Sequence, residues 1–209
     1  MGLGLALYGG TAIALRLGHR PSVDFDFFSE APLDRGALRA VLPFVGRARV
    51  LQDERDAWTM LVPSTAGERP EVKVSFFGRI DFGRVGEPER TNDGVLVVAS
   101  LADLLATKVK VVLQRAEAKD YRDIAAILKV GANLADGLAA ATAMFGDGFQ
   151  PSESLRALVF FRDGDLPSLG DSDQRLLVNA VTAVRDLPEV RILSRRLGVD
   201  LTRERGGPV

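Results

Sequence analysis

The chain of 209 residues is 46% hydrophobic and 26% charged, with 27 Lys and Arg against 28 Asp and Glu and a formal net charge of -1. That balance excludes a protein gripping nucleic acid or anionic lipid over its whole surface by bulk electrostatics, and the length supports a core without staples. With no cysteine and His19 as the only histidine, disulfides, thiolate metal sites and a cysteine nucleophile are excluded and zinc is disfavoured.

Leu3 to Tyr8 is apolar and runs directly into Gly9-Gly10-Thr11, an opening with no room for a preceding helix and one expected of a chain with a segment upstream of Met1. Met1 to Leu7 has no basic leader, and no apolar run approaches the roughly 20 residues of a membrane helix, so the expectation is a cytoplasmic protein with no membrane partner. Thr11 to Leu17 predicts a short helix stopped by Gly18. Val23-Asp24-Phe25-Asp26-Phe27 alternates strictly, which on a strand puts both carboxylates on one face and the apolar residues on the other. Residues 33–42 have helical spacing through Leu33, Leu38 and Leu42. Ala48 to Leu51, Ala57 to Val62, Val72 to Phe77 and Val95 to Val98 read as strands. Glu71, Lys73 and Ser75 alternate with Val72, Val74 and Phe76, the pattern of a half-buried sheet.

After residue 99 the period changes to about 3.6. Ser100 and Asp103 form a capping-box-like start to a helix through Arg115, and Asp120, as N-cap with Asp123 three residues on, starts another that ends at Gly131. Residues 134–145, 152–161, 172–186 and 189–197 are further helical segments, and Arg203 to Val209 reads as a frayed tail. The expected architecture is α+β: a mixed-sheet α/β domain over residues 1–99, then a helical domain over 100–209 that completes a cleft.

Two carboxylates one residue apart on a strand repel each other unless a cation neutralises them, and magnesium suits such oxygen ligands while taking others from phosphates. The competing reading is a solvated outward face. Gly9-Gly10-Thr11 before a helix exposes backbone N–H groups where the helix dipole favours an anion, although two glycines there also make an ordinary tight turn. Together the two features describe a phosphate cradle beside a metal site. Lys108 and Arg115, about two helical turns apart, share a face, either a solvated stripe or one directed at the cleft with Asp120 beyond, while Lys110 points elsewhere.

The block from Gly9 to Phe28 resembles the signature of DNA polymerase β-like nucleotidyltransferases, and more closely their AbiEii/AbiGii toxin branch, in which a glycine turn precedes an Asp-x-Asp strand. Asp103 to Lys108, Gln114-Arg115 and Lys119-Asp120-Tyr121-Arg122-Asp123-Ile124 are similar to that branch's lysine helix and Lys-Asp-x-x-Asp motif. The resemblance covers residues 4–130. It implies a nucleotidyltransferase-like fold that transfers a nucleotidyl group from a nucleoside triphosphate, with magnesium (Mg2+), to tRNA, protein or another nucleotide, and it implies an antitoxin partner. It further implies Asp24 and Asp26 as catalytic metal ligands, Gly9, Gly10 and Thr11 as the phosphate turn, Lys108 and Arg115 as phosphate or nucleotide contacts, and Asp120 at the far wall.

The wider superfamily places a third carboxylate, often the general base, on a later strand, where this chain offers Ser75. Glu71 or Asp81 could compensate, Asp120 is the preferred substitute, and a silent nucleotide-binding module or a small-molecule, antibiotic-type nucleotidyltransferase are the alternatives. His19, between Arg16 and Arg20, reads as an exposed residue of a basic turn ahead of a substrate-phosphate contact, Trp58 as core ahead of a base-stacking platform, and the arginines from Arg191 to Arg205 as a solvated run ahead of an RNA contact.

Overall fold

The computed structural model describes residues 3–63 and 71–199; the tail expected to fray, Arg203 to Val209, lies outside them. The chain opens with β1 (Ala6–Tyr8), α1 (Gly9–Leu17), β2 (Asp24–Phe28) and α2 (Arg35–Val41). A meander of β3 (Arg49–Glu54), β4 (Ala57–Val62) and β5 (Val72–Phe77) follows, then the two short strands β6 (Glu89–Arg90) and β7 (Val97–Val98). The helices α3 (Leu101–Val111), α4 (Ala118–Lys129), α5 (Leu134–Phe145), α6 (Pro151–Ala157) and α7 (Asp171–Ala183) complete it. No single helix among the described residues is long and apolar enough to cross a membrane.

The strands form one mixed sheet in the order β3-β4-β5-β2-β1-β7-β6. The β2–β5 and β1–β7 pairs are parallel and the others antiparallel. Alternation then separates the faces. Phe25, Phe27, Val74, Phe76, Met60 and Trp58 pack with Leu38 of α2 on one side, which leaves Asp24, Asp26, Lys73 and Ser75 for the other. A larger core joins β1, α1 and β7 to the buried faces of α3, α4 and α5, and takes in buried residues from Ala6 to Leu197.

Ser100 caps α3 as its spacing predicts, its hydroxyl accepting from Asp103 N–H at 3.1 Å. The Asp103 carboxylate does not return to the Ser100 N–H; it accepts from Val85 N–H at 2.7 Å and from the Ser100 hydroxyl at 2.5 Å, tying down the loop before β6. Burial of that carboxylate raises its pKa.

Several expectations change. The N-cap of α4 is Glu117, and Asp120 is the third helical residue, fully buried. Helix α3 ends at Val111, so Arg115 lies beyond it. The segment expected to run as a helix over 152–161 stops at Ala157. Residues 189–197 form no helix: Ser194 bridges antiparallel to Arg84, with Arg84 N–H donating to Ser194 C=O at 2.8 Å. Nine residues between Pro188 and Gly198 are too few for a stable isolated helix, and the buried Arg84 donates from Nε to Arg196 C=O at 2.9 Å, holding the segment extended.

Candidate active site

Tyr8 ends β1 in extended conformation and α1 begins on Gly9, whose φ of 74° is in the left-handed region that favours glycine. A Cβ on Gly9 would stand 3.1 Å from Asp26 Oδ2, and one on Gly10 would stand 2.3 Å from Arg20 Nη2. The glycine pair therefore admits a carboxylate and a guanidinium against the start of the helix, as well as making the turn. The buried Thr11 hydroxyl donates to the Asp24 carbonyl and lies 2.7 Å from Ser22 Oγ. It pins α1 to the acidic strand, so its hydroxyl proton is already given to the Asp24 carbonyl.

Asp24 and Asp26 share a face of β2. Asp24 is half-exposed and sits 3.4 Å from Lys73 Nζ on β5. Asp26 is the more sheltered. Its burial raises the carboxyl above its ordinary pKa, a hydrogen bond from Ser75 and the charge of Lys73 oppose the rise, and Asp24 adds to it. Ser75 is Asp26's register partner on β5 and is buried, so the position expected to carry the third acid does stand beside the acid pair and holds a hydroxyl. Glu71 faces Arg49 at 3.6 Å instead. Asp81 is exposed, and its backbone carbonyl accepts from Arg195.

Among the described residues, no group of three or more Asp, Glu or His is gathered to hold a metal ion. Two carboxylates on one strand face, one open and one sheltered, still fit a magnesium-type ion, which keeps several waters and completes its shell with substrate phosphate.

Facing the acid strand is an ion cluster. Lys108 of α3, its side chain 6% exposed, reaches Asp120 Oδ1 at 2.5 Å and Asp123 Oδ2 at 2.7 Å. Arg115 binds Asp120 through Nε at 2.7 Å and Nη2 at 3.2 Å. Arg20 binds Asp123 through Nε at 2.7 Å and Nη2 at 2.9 Å, and His19 Nε2 lies 2.7 Å from Asp123 Oδ1. Burial alone would raise both carboxyls. Hydrogen bonds and charge from Arg115 and Lys108 at Asp120, and from Arg20 and Lys108 at Asp123, outweigh it and hold both below their ordinary values. Lys110 turns the other way, to the Gly148 carbonyl and over the Phe145 ring.

The structure thus brings Lys108, Arg115 and Asp120 together, and it adds three residues that sequence reasoning did not place: Arg20, His19 and Asp123. His19 is not an exposed residue of a basic turn; its side chain is 12% exposed, and its Nδ1 is buried with no hydrogen-bond partner. One signal for Asp123 was legible, since its i,i+3 spacing from Asp120 sets both carboxylates on one face of α4. Trp58 is buried, as expected of a core residue. An apolar cavity of about 560 Å³ lies on the opposite sheet face, lined by Phe25 and Phe27 of the same strand, and none of the charged groups above opens into it.

A glycine turn at a helix N-terminus, an Asp-x-Asp strand and a mixed sheet with helices against it define a nucleotidyltransferase-like fold. A solved structure of MenT4, a nucleotidyltransferase toxin from Mycobacterium tuberculosis H37Rv, is similar with a TM-score of 0.57 and 19% identity over 87% of this chain and 76% of that one. An antigenic nucleotidyltransferase-like protein from Paracoccidioides brasiliensis is similar with a TM-score of 0.51 and 16% identity over 87% of this chain and 85% of that one. The model of the family described as Nucleotidyl transferase AbiEii toxin, Type IV TA system, matches residues 2–191, and the chain belongs to that family. An uncharacterized protein of Aquifex aeolicus (strain VF5) is 32% identical over 120 residues, 56% of this chain and 54% of that protein, so the chain spans about half the length of the curated relative it matches.

Proposed function

We propose that this protein is a magnesium-dependent nucleotidyltransferase that moves a nucleotidyl group from a nucleoside triphosphate to an acceptor, with tRNA as the acceptor to test first. It acts in the cytoplasm as the toxin of a toxin–antitoxin pair. The observation that carries the reading is the meeting of two elements at one glycine turn: the Asp24 and Asp26 strand, and the cluster of Lys108, Arg115, Arg20, Asp120 and Asp123. The two sequence halves, 1–99 and 100–209, supply one element each, apart from Arg20, which crosses to Asp123.

Magnesium, when bound by Asp24 and Asp26, supplies charge neutralisation at the phosphates. The chain's own residues do the positioning, which for phosphoryl-type transfer is most of the catalysis. The backbone N–H groups of Gly9 and Gly10 lie at the positive end of the α1 dipole and receive phosphate oxygens. Lys108 and Arg115 counter the triphosphate charge. Asp120, with both oxygens engaged by Lys108 and Arg115, serves by aiming these two cations. Ser75 is no general base at neutral pH, so the acceptor hydroxyl loses its proton to solvent as it attacks the α-phosphate.

Incubation with labelled nucleoside triphosphates, magnesium and total RNA, protein or free nucleotides should label one acceptor, and Asp24→Asn with Asp26→Asn should abolish both label and growth inhibition. A double variant that remains toxic sinks the enzymatic reading. The serine beside Asp26 favours a second reading, a silent nucleotide-binding module. Metal-dependent nucleotide binding by the wild-type protein with no transfer to any acceptor would select it.

A further inference from the structure

We infer that Arg20 is a substrate-contacting residue that takes the charge of the departing pyrophosphate; the inference rests on the nucleotidyl-transfer reading above. In that reaction the acceptor oxygen bonds the α-phosphorus, the bond from the α-phosphorus to the β-bridging oxygen breaks, and its electron pair leaves on pyrophosphate.

Three observations place Arg20 there. Its Nη2 occupies the space that a Cβ on Gly10 would fill, 2.3 Å from that position, so the guanidinium lies against the first turn of α1. A cation at the positive end of a helix dipole is unfavourable unless an anion joins it, and Asp123, one charge shared with Lys108 and His19, is its ion-pair partner.

The second observation is donor capacity. Of the five N–H groups of a guanidinium, Nε and Nη2 each give one to Asp123 and Nη1 gives one to Pro21 C=O at 3.1 Å. One N–H on each terminal nitrogen is left, on a side chain 19% exposed. Planar paired donors of this kind match phosphate oxygens.

The third is charge. Arg20, Lys108 and Arg115 bring three positive charges to the carboxylates of Asp120 and Asp123, and of the three it is Arg115 that meets a further carboxylate, Glu117 at 3.7 Å, so Arg20 shares Asp123 without one. Arg115 and Lys108 converge on Asp120, while Arg20 alone of the three lies on the glycine turn. The arrangement has cation and helix N-terminus prepared for the same anion, and the bidentate Asp123 contact keeps Arg20 in place before it arrives.

The experiment is calorimetric titration of the folded full chain with inorganic tripolyphosphate and, separately, with a nucleoside monophosphate. Arg20→Gln keeps donors for Asp123 and loses the charge; Arg20→Ala loses both; Arg20→Lys restores a point charge. Tripolyphosphate affinity should fall about tenfold or more in Arg20→Gln and Arg20→Ala, the scale of one charge-assisted pair, and recover in part in Arg20→Lys. Monophosphate affinity should stay within about twofold, because the monophosphate lacks the leaving group. Unchanged tripolyphosphate binding in a folded Arg20→Gln protein overturns the inference and leaves Arg20 as a brace between residue 20 and α4. If the wild-type protein binds neither nucleoside triphosphate nor tripolyphosphate, the nucleotidyl-transfer reading falls and takes this one with it.

Discussion

Asp26 on β2 and Ser75 on β5 are direct register partners in a parallel pair, and the serine is bonded to the carboxylate it faces. The wider superfamily would lead one to look for an acid at that place, and this chain supports the acid it has instead of adding another. Partners behind a metal ligand typically matter 10–100-fold in metal affinity. Ser75→Ala should therefore raise the magnesium concentration for half-maximal transfer by about tenfold, with Ser75→Thr close to wild type. Magnesium titration of initial rates checks both, and identical titrations for wild type and Ser75→Ala would leave Ser75 a packing residue.

Asp26 is raised in pKa chiefly by burial, so the folded state holds its proton more tightly than the unfolded chain does. Such a group's contribution to stability is fully present below the unfolded pKa, near 4, and is lost as pH rises through the folded value. At pH 7 the ionised Asp26 therefore costs stability. Asp26→Asn should melt a few degrees higher than wild type at pH 7, on the scale of ~2–4 °C per kcal/mol for a chain of this size, while losing transfer. The two proteins should converge in Tm towards pH 4. A lower Tm for the variant at pH 7 would mean that Ser75 and Lys73 already overcompensate the burial.

What was legible in the sequence follows the range of the interactions. Period-two alternation marked β2 and β5, and it marked their faces, because the Phe25 and Phe27 side is buried against α2. The α5 bounds, Leu134–Phe145, agree with a segment between two local breakers. Residues 189–197 were misread because their conformation is set by Arg84, more than a hundred positions away. The same holds at the site. Lys108, Arg115 and Asp120 lie within one helix–turn–helix stretch and were named together through the family resemblance, although the shared helical face expected of Lys108 and Arg115 is absent because α3 ends at Val111, whereas His19 and Arg20 reach Asp123 across 104 and 103 positions, and no local pattern announces that contact.

Gly10 provides a sharper test of the helix start than Gly9. At Gly9 any side chain meets the strain of a φ of 74°, so Gly9→Ala should lose about 1–2 kcal/mol of stability and activity together. Gly10 has no such φ; its added Cβ meets the Arg20 guanidinium. Arg20 can yield to that Cβ only by loosening its paired bonds to Asp123, which keeps Lys108 and His19 as partners, so Gly10→Ala should fold with a moderately lower Tm and lose transfer by about tenfold or more. Circular dichroism melts beside initial rates separate the two. A Gly10→Ala protein with full activity would show that neither the glycine nor the placement of Arg20 matters to the reaction.

Asp120 and Asp123 carry the opposite sign to Asp26. Both are held below their ordinary pKa, since the bonds from Arg115, Lys108 and Arg20 outweigh the burial that would raise them. Their contribution is present above the unfolded value near 4 and is lost as pH falls through the folded values, below it. Stability from this cluster should therefore be level between pH 5 and 7 and fall away only below about pH 4. Asp123→Asn removes one of two carboxylates from three permanent cations, leaving Arg20 without its counter-charge and Lys108 with Asp120 alone. Breaking a buried pair in this way costs about 3–5 kcal/mol, so urea midpoints at pH 7 should drop sharply. The variant's loss below pH 4 should be shallower than that of wild type, because one of the protonations that drive it no longer occurs. Measured in the Asp26→Asn background, which removes the same contribution from both proteins, the difference between the Asp123 and Asp123→Asn acid limbs should persist; parallel limbs would place the acid sensitivity outside this cluster.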